Sequence, residues 1–451
     1  MEKKTGWEKW NEKTKKKAMG FCEDYKRFLS DNKTERLFTS SCVKTAEKRG
    51  FKPLGSYKKL TAGDRFYKTN KGKLVIAGIM GKTSFAGGTR LIAAHTDSPR
   101  LDLKTSPLYQ EEDLCLFKTY YYGGIKKYQW LTIPLAIYAT VVFKNGDKKE
   151  FIIGENEEDP VFTITDLLPH LGKDQMKKTI SEGFPGERLN VIAGSIPDKG
   201  SKKEKVKKNV LKILNSTCGM SEDDFLSSEI QLVPAGKLRD AGFDRGMVLG
   251  YGQDDRVCSY TAFNALLDTA SPGLASLCIL VDQEEIGSPG ATSAQSEFFR
   301  FLLEEVAEKA GLKPGDLKNV IQNSKAISAD VDTVMDPNFK EVSDSRNIAR
   351  SGCGVVLSKN TGIAKGGCVE PTAEYLAFLR DLFDSNNILW QTGEMGKLEQ
   401  GGGGTVATFF ARYNIDTANC GTGVLSMHAP YELTSKADIY ATYLAYRAFF
   451  Q

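Results

Sequence analysis

His95 and Asp97 stand where a short apolar run, Leu91-Ile92-Ala93-Ala94, stops, and Pro99 follows at once. A buried strand reads this way, and proline cannot extend its ladder, so the pair falls at the strand's carboxyl end. In an open parallel α/β sheet, that edge is where ligands bind. Residues two apart on a strand point to the same side, which places the Asp97 carboxylate to accept the second N–H of the His95 imidazole. A metal-bound histidine is commonly oriented by such a carboxylate. The competing reading is a histidine satisfied by structural hydrogen bonds. Scarcity favours the ligand: the chain has only three histidines, His95, His170 and His428.

Other polar residues close elements in the same manner. Asp254 lies in Gly252-Gln253-Asp254-Asp255-Arg256, which opens a helix predicted over 257–268. Glu284 and Glu285 closely follow the apolar run 275–281, Asp330 ends a short strand over 325–329, and His428 follows a strand candidate at 423–427. Two imidazoles with several carboxylates and no cysteine form a ligand set suited to Zn²⁺, Mn²⁺ or Co²⁺. The carboxylates exceed what one tetrahedral ion needs. Two ions sharing a bridging carboxylate, each with one histidine and one further carboxylate, would use most of them; such pairs serve aminopeptidases, phosphatases and nucleases. Neighbouring Glu284 and Glu285 diverge, so one can bind an ion while the other faces the attacking water as general base. Solvated loop acids are the alternative, but burying two charges after an apolar strand is costly unless they are paired or bound.

These endings need a scaffold. A chain of 451 residues suggests two or three domains, and 41% hydrophobic with 26% charged residues is a globular composition. With 61 basic against 57 acidic residues, nothing calls for nucleic acid. No apolar run approaches the ~20 residues that span a bilayer, and the N-terminal sequence has no apolar signal core. Nine scattered cysteines without a Cys-x-x-Cys pair point to reduced thiols and a cytoplasmic location. Helix is expected over most of 7–50, and strands at 74–80 and 89–94. From about 105 to 237 strands and turns dominate, with a hairpin at Asn145-Gly146 and a lysine-dense, solvated stretch at 199–208. The pattern predicts an α/β domain made of 1–104 and 238–451, interrupted by a β-rich insertion at 105–237. Within the former, helices are expected at 296–310, 374–383 and 435–449, and a strand at 405–411. The glycine run 401–404 follows Gly396-Lys397, but the Gly-Lys-Ser/Thr order of a phosphate loop is missing. A loop that lets a substrate backbone approach, Gly403 included, fits better.

Taken in order, His95-x-Asp97, Asp254-Asp255-Arg256, Glu284-Glu285-x-Gly287, Ser328-Ala329-Asp330 and Ser426-Met427-His428 resemble the motifs of the aspartyl aminopeptidase and vacuolar aminopeptidase I family. The resemblance extends to Tyr122-Gly123-Gly124-Ile125, Leu168-Pro169-His170-Leu171 and Trp390-Gln391-Thr392-Gly393-Glu394. It implies a mixed central sheet sandwiched by helices, with an inserted dimerisation domain and two zinc ions per subunit. His95 and Asp330 would hold one ion, Glu285 and His428 the other, and Asp254 would bridge them. Asp97 would orient His95, Glu284 would be the general base, and His170 would reach into a partner's site to stabilise the oxyanion. Substrates would be peptides with a free N-terminus. An acidic first residue, frequent in the family, would need a cation such as Lys359, with Lys365 behind it. Self-association as a dimer or a larger, dodecamer-like assembly is implied as well. An amidohydrolase acting on acylated amino acids and a catalytically silent scaffold are the alternatives. Retention of Glu284 beside Glu285 speaks against the silent one.

Overall fold

The structure, a computed structural model, describes residues 4–359, 370–397 and 403–451. Two compact units emerge, one of residues 1–98, 238–427 and 432–451, the other of 99–237 and 428–431. The boundary expected at 104 lies earlier because Arg100–Glu111 is a single strand that pairs antiparallel with Leu114–Tyr122. Residues 428–431 also group with the second unit, not with the first as the sequence suggested.

The first unit is built on a nine-stranded mixed sheet. Three adjacent strands at its centre run parallel: Ala275–Val281, Thr89–His95 and Lys325–Ser328. Alternation along them feeds two apolar layers. Ile92, Ala94, Cys278, Leu280 and Ile327 pack on one side with the helices Glu12–Asp31, Gln253–Leu267 and Lys436–Phe450. Leu91, Ala93, Leu277, Ile279 and Ala326 pack on the other with Phe298–Lys309. Each fully buried Leu or Ile contributes about 1.5–3 kcal/mol, so the sheet's position is set by its two greasy faces. Gln253–Leu267 is buried on nearly every side, its polar first turn included. A smaller five-stranded sheet includes Met247–Gly250 paired with Glu432–Ser435, and Gly423–Leu425.

Two local expectations fail. Residues 405–411 are not a strand; Ala407–Ala411 is a helical turn that buries Ala407 and Phe410 on one face. Phe410 meets Phe299 edge-on at 5.3 Å, a contact that helical spacing supplies. The strand of that region is Asp416–Gly421, unnoticed because Asp, Asn and Gly are poor strand formers. Its place between Lys325–Ser328 and Val355–Ser358 overrides propensity.

The second unit is a six-stranded antiparallel sheet. Leu135–Val142 and Lys148–Ile153 form the hairpin around Asn145-Gly146, where Gly146 takes a φ of 89°. Helix Lys205–Cys218 buries Val206 and Val210 and turns most of its lysines to solvent. In the loop 167–180, Leu167, Leu168, Leu171, Met176 and Ile180 are all exposed.

Candidate active site

The three parallel central strands deliver their carboxyl ends side by side. His95 is paired in register with Val281, and Ser328 with Ala93, so Glu284 and Asp330 flank the imidazole. Asp254 arrives from the helix Gln253–Leu267, whose first turn is not helical: its φ and ψ are −78° and 113°. His95 Nε2 lies 3.5 Å from Asp254 Oδ1 and 3.8 Å from both Asp330 Oδ1 and Glu284 Oε2. One ligand atom from each of His95, Asp254 and Asp330 falls within 4.8 Å of the others.

Asp97 holds this arrangement together. Its carboxylate lies 3.3 Å from His95 Nδ1 and accepts the backbone N–H groups of Glu284 and Glu285, each at 3.2 Å. The His95 ring nitrogen also meets the Asp97 carbonyl at 3.0 Å. A carbonyl only accepts, so Nδ1 carries a proton, and Nε2 is the ring atom that faces the acids. The backbone is held as well: Ser259 donates to the His95 carbonyl at 2.6 Å, and the Ser98 hydroxyl to that of Asp254 at 2.5 Å.

The electrostatics are those of a cation site. Burial pushes the Glu284 carboxyl up to about 8, with Asp330, Asp97 and Asp254 adding to the rise and His95 opposing it. Burial likewise raises Asp330 and, strongly, Asp255. Burial alone would lower His95, but Asp254, Asp330, Asp97 and Glu284 together raise it well above its ordinary value. Such a concentration of buried anions is unfavourable without positive charge. The donor set is hard and nitrogen–oxygen in kind. Ligands about 2.1 Å from a tetrahedral ion lie about 3.4 Å apart, close to the spacings around His95 Nε2. These residues therefore fit a divalent metal.

The remaining candidates are placed as follows. Glu285 sits in the turn Glu284–Ile286, with a carboxylate oxygen within 4.8 Å of one from Asp254. His428 belongs to the second unit, where its Nδ1 donates to the Gly124 carbonyl at 2.7 Å. A Cβ added at Gly124 would touch that ring, 3.4 Å from Nδ1. His170 is exposed in the same unit. Lys359 and Gly403 are exposed in the first unit, and a Cβ at Gly403 would meet nothing within 4 Å, so packing does not demand glycine there. Lys365, Gly401 and Gly402 lie outside the described residues. Sequence reasoning passed over Glu432, Ser98 and Ser259, which act on backbone atoms that no spacing rule reveals.

A mixed α/β sheet whose adjacent strand ends gather imidazole and carboxylates has the architecture of a metal-dependent hydrolase. The chain belongs to the aminopeptidase I zinc metalloprotease family (M18), whose model matches residues 28–450. It is accordingly a zinc-dependent aminopeptidase. A probable M18 family aminopeptidase 1 from Clostridium acetobutylicum is 45% identical over 458 residues, covering 99% of this chain and 98% of that one. The crystal structure of an M18 aminopeptidase from Thermotoga maritima superposes with a TM-score of 0.96 at 42% identity, covering 100% and 99% of the two chains. The structure of an S. cerevisiae mApe1 dodecamer, 22% identical, shares the fold with a TM-score of 0.76 over 95% of this chain and 96% of that one. Among the described residues, no helix is long and apolar enough to cross a membrane.

Proposed function

We propose that the enzyme releases the N-terminal residue of peptides by attack of a water activated between two divalent ions. The observation that carries this reading is the convergence of His95, Asp254, Asp330 and Glu284 at one rim of the sheet. In it His95 and Asp330 would hold one ion, Glu285 and His428 the second, and Asp254 would reach both; zinc suits these ligands, and manganese or cobalt could replace it. Bound there, the ions would polarise the scissile carbonyl, lower the pKa of the attacking water and anchor the substrate's free amine.

Glu284 accepts a proton from the water as its oxygen joins the carbonyl carbon. The same proton then passes to the leaving nitrogen as the C–N bond breaks. Asp97 orients His95 and, through the two N–H groups it accepts, fixes the turn that carries Glu284 and Glu285. An Asp97→Ala variant is expected to lose about 10- to 100-fold in zinc affinity, read by competition with a chromogenic chelator; unchanged affinity would deny Asp97 an orienting role.

The second unit serves self-association as a dimer and within a larger, dodecamer-like assembly. Five large apolar side chains exposed between 167 and 180 support this, since a patch of that kind marks an interaction surface. His170 stands among them and in the assembly reaches a partner's site, where it stabilises the developing oxyanion. Lys359 is the cation that favours an acidic first residue, and Gly403 allows the peptide backbone to approach.

Amino-acid p-nitroanilides test this reading against their N-acetylated forms. Cleavage restricted to free amines is expected, with Asp and Glu ahead of Leu and Lys. Cleavage of the blocked substrates alone would replace the exopeptidase with an amidohydrolase acting on acylated amino acids.

A further inference from the structure

Asp254, the residue proposed to reach both ions, has its backbone N–H held from far along the chain. Gly252, just before the helix Gln253–Leu267, has no side chain to cap it, and no side-chain cap is formed there. Glycine is required at that position: its φ is 71°, and an added Cβ would lie 1.5 Å from Arg256 Nη2. The first-turn N–H groups therefore need an acceptor from elsewhere.

That acceptor is Glu432, 178 residues further along the chain and buried. Its Oε2 accepts the backbone N–H of Gln253 at 2.6 Å and of Asp254 at 3.0 Å. The Gln253 side chain closes the arrangement, donating to the Glu432 carbonyl at 2.7 Å and the Val248 carbonyl at 3.1 Å. Tyr25, from the helix Glu12–Asp31, donates its hydroxyl to Gln253 Oε1 at 3.0 Å. Gln253 is likewise buried, and Glu432 is held in register opposite Gly250. A carboxylate at the start of a helix is electrostatically favoured, and two charge-assisted hydrogen bonds on one oxygen fix the peptide plane from which Asp254 projects.

We infer that Glu432 is a positioning residue for the metal centre: by gripping the N–H groups of Gln253 and Asp254 it sets the direction of the Asp254 carboxylate. The inference rests on Asp254 being a metal ligand. Outer-shell partners of metal ligands typically account for about 10- to 100-fold in affinity, and Glu432 acts at the same remove through the backbone.

The test uses the full chain, stripped and refilled with zinc, or with cobalt for its visible spectrum. Glu432→Gln keeps an acceptor of nearly the same shape but removes the charge; Glu432→Ala removes both. The expected result is a loss of about 10-fold in zinc affinity for Glu432→Gln and more for Glu432→Ala, with an altered cobalt d–d spectrum. Near-ultraviolet circular dichroism of the stripped proteins should remain that of the parent. Zinc affinity and cobalt spectrum unchanged in folded Glu432→Gln would overturn the inference. So would failure of both variants to fold, which would make Glu432 a residue of the fold alone. Asp254→Asn runs alongside: if it binds zinc as the parent does, the ligand reading itself falls. If it loses zinc while Glu432→Gln does not, only the role of Glu432 falls.

Discussion

Glu284→Gln should hydrolyse aminoacyl p-nitroanilides about 10²- to 10⁴-fold more slowly than the parent while holding the same amount of zinc. The amide nearly reproduces the carboxylate in shape, so the turn Glu284–Ile286 and its hydrogen bonds to Asp97 should survive. What disappears is the proton acceptor. Glu284 Oε2 lies 3.8 Å from His95 Nε2, so it stands beside the proposed metal-binding atoms, close enough to meet a water held among them. Kinetics and metal analysis on the same preparation separate the two roles open to this residue. Zinc lost together with activity would make Glu284 a ligand; full activity would move the base elsewhere.

Exhaustive chelation is the second large effect. Activity should fall to background, and the chain should melt at a lower temperature, both restored by zinc. The physical reason is the cluster itself. Loss of water raises Glu284, Asp330 and Asp255, and the neighbouring acids add to the rise. A cation removes that conflict, and a ligand present at about 1,000 times its Kd stabilises the folded state by about 4 kcal/mol. Calorimetry of stripped and refilled protein checks it. A stripped protein that melts with the refilled one would mean that the acids are satisfied without metal, and retained activity would remove metal from the reaction.

Much of the candidate site's clustering was legible in the chain because its polar residues are attached to strand endings. An apolar run that halts at His95 or shortly before Glu284 can be read locally, since solvation of the polar residue and burial of the run decide where each goes. Parallel packing of 275–281, 89–95 and 325–328 then makes neighbours of residues far apart in sequence. Where the local signal was weak, tertiary context decided instead. Asp416–Gly421 is a central strand despite its composition, and the β-branched and aromatic stretch at 405–411 holds a helical turn because Phe410 packs there on Phe299. Glu432 was invisible for a related reason. A single acid opening Glu-Leu-Thr-Ser resembles any edge residue, and only the fold brings it to the N–H groups of Gln253 and Asp254. The candidate ligands can thus be proposed from residue types, while the hydrogen bonds that aim them, made to backbone, cannot.

Zinc counted per chain, in the parent and in two variants, decides whether Asp254 is shared by two ions. Each protein would be refilled under identical conditions and analysed by plasma mass spectrometry against amino-acid analysis. The parent should hold two equivalents, Asp330→Ala about one, and Asp254→Ala close to none, because removing a bridge weakens both ions while removing a terminal ligand weakens one. A parent with a single equivalent, or an Asp254→Ala protein that still keeps two, would contradict a dinuclear centre bridged by Asp254.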